Sequence, residues 1–213
     1  MTLLGLCLLL PLGGFFLLLA LPKENHALIR KLAFAITLLV FVASIGLTSG
    51  FRTSAPGYHF ETNLRWISSP SIRYHVGVDG LSLWLVLLST LLTPIAVLVS
   101  WNHIDKRVKE FHAFLLLLEF GLIGVFVALD LFLFYVFWEV SLVPMYFLIG
   151  IWGHERRIYA AVKFFLYTMT GSVLMLAAMD AGEFTTSGIA KEFTAVVAAS
   201  DSTSGVEDGP ATT

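Results

Sequence analysis

The chain has 213 residues, of which 57% are hydrophobic and only 13% charged, and its formal net charge is −2. A soluble domain carries about 25% charged residues, so this composition excludes an ordinary water-facing surface and predicts a membrane protein. The small net charge does not indicate a nucleic-acid partner. The single cysteine, Cys7, excludes an internal disulfide and a cysteine-based metal site.

The first half of the chain contains three apolar runs that approach the roughly 20 residues needed to cross a bilayer. Between the second and third runs, residues 49–80 are predicted to form a polar loop, since they contain Pro56, Gly57 and Pro70. Asp79 is expected to cap the following helix by accepting unpaired backbone N–H groups. The predicted helices of this half are 2–21, 28–48 and 81–100.

The second half begins with an almost unbroken apolar stretch, 112–151, which is about twice the length of one membrane crossing. It must therefore fold back on itself, and Asp130 marks the turn. The predicted helices are 112–129, 131–151 and 158–179. The fold class is therefore all-α, a polytopic membrane protein with about six transmembrane helices.

The character of the sequence changes near residue 180. The segment 180–213 is rich in Ser, Thr, Gly and Ala, and its acidic residues outnumber its single lysine. This composition is typical of a disordered tail. We therefore predict two parts, a membrane domain (1–179) and an acidic low-complexity tail (180–213).

Basic residues alternate between the two ends of the predicted helices. Lys and Arg are enriched in short cytoplasmic loops, and here they follow the first, third and fifth helices. The pattern predicts an N-terminus outside the cytoplasm. The basic residues after these helices are Lys23, Arg30, Lys31, Lys106, Arg107, Lys109, Arg156 and Arg157.

The fifth predicted helix carries a glutamate close to its midpoint. An ionised carboxylate at mid-membrane costs about 2.5–3.5 kcal/mol, and ionisable residues there usually serve transport. Tyr135 and Tyr146 share a face with Glu139, and Pro144 frees a backbone carbonyl beside it. These residues favour a proton relay. The alternatives are a protonated, hydrogen-bonded Glu139 in a helix bundle and an ordinary packing kink at Pro144.

The fourth helix carries a second mid-membrane glutamate, Glu119. His112 and Asp130 fall within about 20° of the same helical face, which predicts either a second polar relay or two interfacial residues placed there by chance. Lys163, near the start of the sixth helix, either pairs with a buried glutamate or extends to the lipid headgroups.

Three segments then make the chain recognisable. The runs YHVGVDGLSLWLVLLS (Tyr74–Ser89), GVFVALDLFLFYVFWEVSLVPMYFLIGIWG (Gly124–Gly153) and AAVKFFLYT (Ala160–Thr168) closely resemble the subunit M family of proton-pumping NADH–quinone oxidoreductases, that is, of respiratory complex I. Mitochondrial subunit 4 is the counterpart in that family.

The resemblance implies a proton-translocating, antiporter-like membrane subunit of a bacterial inner membrane. Its essential helix-5 glutamate falls on Glu139 and its helix-4 glutamate on Glu119. Such a subunit binds no cofactor itself, while NADH and quinone are used elsewhere in the complex. Its implied partners are the other membrane subunits of complex I and the lipid bilayer, with no nucleic acid.

The chain also departs from the family pattern. Family members contain two inverted repeats and carry partner lysines on later helices, so the resemblance implies a C-terminally truncated chain that does not pump alone. The tail from about residue 180 is expected to lie outside the family sequence. The alternative functions are a subunit of a multisubunit cation/proton antiporter or of a membrane hydrogenase, and a non-conducting membrane fragment.

Overall fold

The computed structural model describes residues 3–51, 58–67 and 72–180. Each helix in this part of the chain is long and apolar enough to cross a membrane, which confirms the prediction of six spans. The predicted tail beyond residue 180 lies outside the described residues. The elements in chain order are α1 (Leu3–Ala20), α2 (His26–Gly50), β1 (His59–Ile67), β2 (Ile72–Val78), α3 (Gly80–Ser100), α4 (Val108–Val127), α5 (Leu131–Trp152) and α6 (Arg157–Asp180).

The chain divides into two compact units, Met1–Thr168 and Met169–Thr213. Within the first unit, α4 occupies the centre and packs against α1, α2, α3 and α5. The outer faces of the helices carry large apolar side chains, and Trp84 and Ile158 are each more than two-thirds exposed. An exposed apolar surface of this kind suits a lipid environment.

Carboxylate side chains cap the first turns of α3 and α5, at Asp79 as predicted and also at Asp130. The Asp79 carboxylate accepts the backbone N–H of Ser82 at 2.7 Å, and hydrogen bonding from Ser82 lowers the pKa of the Asp79 carboxyl from its ordinary value. Asp130 accepts the N–H groups of Phe132 and Leu133 at 3.0 and 3.1 Å. Asp130 therefore marks the turn between α4 and α5, as predicted.

The segment predicted to be a polar loop instead contains a β-hairpin. Strands β1 and β2 pair antiparallel, with Leu64 opposite Tyr74 in the register. Pro56, Gly57 and Pro70, the residues that suggested a loop, lie outside the described residues. The backbone N–H of Leu129 donates to the carbonyl of His75 at 2.9 Å, and this contact ties the hairpin to the α4–α5 turn.

Helix α4 begins four residues earlier and ends two residues earlier than predicted. Its first turn contains Lys109, which hydropathy alone assigns to a loop. The Lys109 ammonium donates to the carbonyls of Leu19 and Leu21 at 2.7 and 2.6 Å. It thereby satisfies acceptors at the C-terminal end of α1, where helices leave carbonyls unpaired. At the other end, Ala128 leaves the helix to bridge Val76 of β2.

Candidate functional site

Glu119 lies in the middle of α4 and is the most deeply buried carboxylate among the described residues, with 1% of its surface exposed. Neither of its carboxylate oxygens has a hydrogen-bond partner in the described part of the protein. Its side chain lines a cavity of about 320 Å³ between α3 and α4. Buried polar groups are nearly always hydrogen-bonded, so an unpaired carboxyl at this depth suggests a role beyond packing.

Glu139 lies on α5 and is half-buried, and its Oε1 atom is buried without a protein partner among the described residues. The neighbouring residues show which way it points. Phe137 and Ser141 pack closely against Gly124 and Gly121 of α4. Glu139 is two residues from each of them and therefore about 160° around the helix axis. It faces away from α4, so the structure does not bring the two glutamates together.

The two tyrosines predicted beside Glu139 are both half-buried on α5. The ring of Tyr146 contacts Phe165 of α6, with ring centroids 5.5 Å apart. Tyr135 and Glu139 are one helical turn apart, and Tyr146 returns to within about 20° of Glu139. This face of α5 is directed toward α6, and its role in proton transfer stays a prediction.

His112, which the sequence predicts to lie at the membrane interface, is completely buried among the helices. Because α4 begins at Val108, His112 falls in the second turn, and its Nδ1–H donates to the Val108 carbonyl at 2.8 Å. Its Nε2 has no partner among the described residues. The predicted stripe of His112, Glu119 and Asp130 is wrong in its last member, since Asp130 follows the end of α4 and caps α5.

Pro144 is buried inside α5, which continues through it to Trp152. Lys163 is exposed on α6, and its ammonium lies 5.8 Å from the ring centroids of both Tyr159 and Tyr167. No ion pair joins Lys163 to a carboxylate in the part of the chain that the structure describes. These contacts place the lysine between aromatic rings, where a cation is attracted to the ring faces.

Sequence reasoning missed two hydroxyl residues of α3, Ser89 and Thr93, which line the same cavity as Glu119. They are one helical turn apart, and this spacing is the sequence pattern that could have indicated a shared polar face on α3. Small hydroxyl residues are common at helix contacts in membranes, however, so the pattern alone is weak. Among the described residues, no cluster of three His, Cys, Asp or Glu side chains is placed to hold a metal ion.

Two family models together match most of the chain. Residues 6–127 match the model described as the amino terminus of NADH-ubiquinone oxidoreductase chain 4. Residues 128–206 match the model described as the transmembrane region of NADH:quinone oxidoreductase and Mrp antiporters. The second match runs past residue 179, so it gives no support to the prediction that family sequence ends there.

The NADH-quinone oxidoreductase subunit M of Rhodobacter capsulatus is 49% identical over 152 residues, which cover 71% of this chain and 29% of that protein. The chain thus spans only about a third of the length of the curated relatives that it matches. Among solved structures, respiratory complex I from Thermus thermophilus matches with a TM-score of 0.71 and 31% identity, covering 86% of this chain and 36% of that one.

The Mrp complex of Dietzia sp. matches with a TM-score of 0.68 at 15% identity, covering 82% of this chain and 19% of that one. At that identity the likeness shows a shared fold alone. The chain 4 model, in contrast, covers more than half of this sequence. This multi-pass membrane protein therefore belongs to the NADH–quinone oxidoreductase chain 4, or subunit M, family.

Proposed function

We propose that this chain forms part of the proton-conducting membrane arm of a NADH–quinone oxidoreductase, with Glu119 and Glu139 as proton-carrying groups. The observation that carries the proposal is the carboxyl of Glu119, which is 99% buried and has no protein partner among the described residues. Natural proteins rarely leave such a group unpaired. A role in which the Glu119 carboxyl gains and loses a proton during turnover explains why the chain keeps an unpaired carboxyl at this depth.

The chemistry assigned to this chain is proton transfer. An ionised carboxylate in the middle of a bilayer costs about 2.5–3.5 kcal/mol by insertion scales, and ionisable residues at that depth usually serve transport. The oxidation of NADH and the reduction of quinone take place elsewhere in the proposed complex. The partners are its other membrane subunits, and the host membrane is a bacterial cell membrane.

Replacing Glu119 by glutamine in the assembled complex that carries this chain is expected to reduce NADH-driven proton pumping by about tenfold, since a positioned acid–base group typically contributes at least that much. Pumping is measured as acidification in sealed vesicles. NADH oxidation by an artificial electron acceptor, measured in parallel, reports whether the complex is assembled.

Glu110→Gln provides a matched control on the same helix. Glu110 is partly exposed and pairs with Lys23 at 3.6 Å in the first turn of α4, and exposed ion pairs contribute little to stability. This variant is expected to pump normally. Normal pumping by Glu119→Gln would contradict the proposed role and leave a purely structural carboxyl.

The basic residues lie in or beside the segments that join α1 to α2, α3 to α4 and α5 to α6. We assign these segments to the cytoplasm, which sets the orientation of the chain. Two exposed asparagines allow a matched test, Asn63 in the hairpin and Asn102 after α3. With the buried Cys7 first replaced by serine, a membrane-impermeant thiol reagent should label Asn63→Cys in intact cells. Asn102→Cys should react only after the membrane is permeabilised. Labelling of Asn102→Cys in intact cells would show that the chain has the opposite orientation.

A further inference from the structure

A pocket of about 660 Å³ lies where the loop between α3 and α4 meets the end of α5 and the start of α6. Lys106 and Arg107 line it from the loop, Trp152 lines it as the last residue of α5, and Arg157 lines it as the first residue of α6. Because these residues lie at the ends of membrane-spanning helices, we place the pocket at the level of the lipid headgroups and call it the interfacial pocket.

The charge of the interfacial pocket is predominantly positive. Lys106, Arg107 and Arg157 are exposed, and none of the three forms an ion pair with a carboxylate in the part of the chain that the structure describes. Asp105 also lines the pocket, but its carboxylate lies 3.4 Å from the guanidinium of Arg30, outside the pocket. The lining therefore carries positive charge that an anionic ligand can neutralise.

The loop that carries two of these cations is held in place from both sides. On one side, the Arg30 guanidinium of α2 donates to the carbonyl of Ile104 at 2.8 Å. On the other side, the indole N–H of Trp152 donates to the carbonyl of Lys106 at 2.9 Å. The two bonds fix the backbone on which Lys106 is mounted, so the pocket exists before any ligand arrives.

The two arginines of the pocket are also held at defined positions. Arg107 has φ 54° and ψ 45°, a left-handed conformation that is uncommon for a residue other than glycine and that is often found at functional sites. The Arg157 guanidinium donates to the carbonyl of Ile151 at 3.0 Å. Since an arginine has five N–H donors, this single bond leaves others for a ligand.

We propose that the interfacial pocket binds the phosphate of an anionic phospholipid through Lys106, Arg107 and Arg157. Arginine binds phosphate oxygens through paired N–H groups, and lysine binds them as a point charge. Basic pockets at the ends of membrane helices suit anionic headgroups, and tryptophan favours the same depth. The apolar part of the lining, which includes Ile104 and Ile151, suits the base of the acyl chains better than it suits a freely soluble phosphate.

A lipid at this position has a structural consequence for α6. Among the described spans, α6 is the least buried, and its first residue, Arg157, lies across the pocket from the α3–α4 loop. A phosphate that contacts Arg157 together with Lys106 and Arg107 links the start of α6 to the loop. The lipid then supplies an attachment for a helix that has few protein neighbours.

The test is native mass spectrometry of the full chain in detergent, titrated separately with phosphatidylglycerol and with phosphatidylcholine of the same acyl chains. The unmodified chain should bind phosphatidylglycerol more tightly, because only this lipid has a net negative charge. Lys106→Gln combined with Arg107→Asn should weaken phosphatidylglycerol binding by about thirtyfold, the effect of two basic residues beside an anionic lipid. Asparagine is chosen at position 107 because it tolerates the left-handed backbone.

Lys31→Gln combined with Arg156→Gln is the matched control. Both residues are exposed and lie at the same ends of the spans, but neither is among the described residues that line the pocket. The control removes the same amount of charge and should bind phosphatidylglycerol as the unmodified chain does. Glycerol 3-phosphate, which carries a phosphate without acyl chains, should not bind at the lipid concentrations used.

Four results would each overturn the inference. Equal binding of the two lipids would leave the basic residues for a protein partner, and binding of glycerol 3-phosphate as tight as that of phosphatidylglycerol would indicate a soluble phosphate ligand. The other two are an unchanged affinity in the Lys106 and Arg107 variant and an equal loss in the control. If circular dichroism shows that the double variant does not fold, Lys106→Gln alone is measured, with an expected loss of about fivefold.

Lipid binding at the interfacial pocket goes beyond the proposed function and requires neither Glu119 nor Glu139. Normal pumping by the glutamine variants of these residues would therefore leave the lipid site standing. Failure of the lipid titration would leave the proposed proton transfer standing, since the two experiments measure different groups at different depths of the membrane.

Discussion

Glu139→Gln in the assembled oxidoreductase is expected to lower NADH-driven proton pumping by roughly tenfold or more, since positioned proton-transfer groups contribute on the order of 10²–10⁴-fold. Glutamine keeps the size and much of the hydrogen bonding of the side chain but cannot carry a proton. Because Glu139 is only half-buried on the face of α5 directed away from α4, its replacement should not disturb the α4–α5 contact.

Glu139→Asp is the companion variant, and it should retain part of the pumping because a carboxyl persists, although one methylene shorter. NADH oxidation with an artificial acceptor should be unchanged in both variants if assembly is intact. Pumping by the glutamine variant at the rate of the unmodified complex would mean that Glu139 acts only as a hydrogen-bonded structural group.

Gly121→Ala is expected to destabilise the folded chain by about 1–3 kcal/mol, the usual cost of overpacking. A Cβ atom at Gly121 would lie 2.8 Å from the Cβ and 3.0 Å from the Cα of Ser141 on α5. Since the Cα belongs to the backbone, relief requires the two helices to move apart. The measurement is denaturant-induced unfolding of the chain in detergent micelles, followed by circular dichroism.

Gly13→Ala supplies the same substitution without the contact. Gly13 lies in α1, and nothing lies within 4 Å of the position its Cβ would take. Alanine has the higher helix propensity, so this variant should unfold at the same or a higher denaturant concentration. Equal stability of the two variants would show that the α4–α5 contact at Gly121 is not a close one in solution.

The consequences of Gly121→Ala extend to the candidate site. Gly121 and Gly124 allow α4 to meet α5 at Ser141 and Phe137, and this contact fixes which sides of the two helices remain available. Glu119 is thereby directed to the α3 cavity and Glu139 to the opposite side of α5. A path between the two glutamates cannot be a direct hydrogen bond in this arrangement, and their coupling would need intervening groups.

The sequence by itself determined the number and type of the membrane spans. Hydropathy and length are local properties, so six runs of about 20 apolar residues specify six helices wherever they later pack. The turn at Asp130 could also be predicted, because the 40-residue stretch is twice one crossing and Asp130 is the charged residue nearest its middle. The cap at Asp79 follows from the same local chemistry of unpaired backbone N–H groups.

Only the tertiary structure decided the environment of each polar side chain. Lys109 belongs to α4 because the C-terminal carbonyls of α1 lie within its reach, and His112 is buried because α4 begins early enough to carry it inside. The pairing of β1 with β2, in a segment whose composition suggested a loop, is likewise a contact between separate parts of the chain. Long-range contacts of this kind depend on which helix faces meet. Hydrophobic periodicity is a weak guide to those faces in lipid, because the outside of the bundle is as apolar as its core.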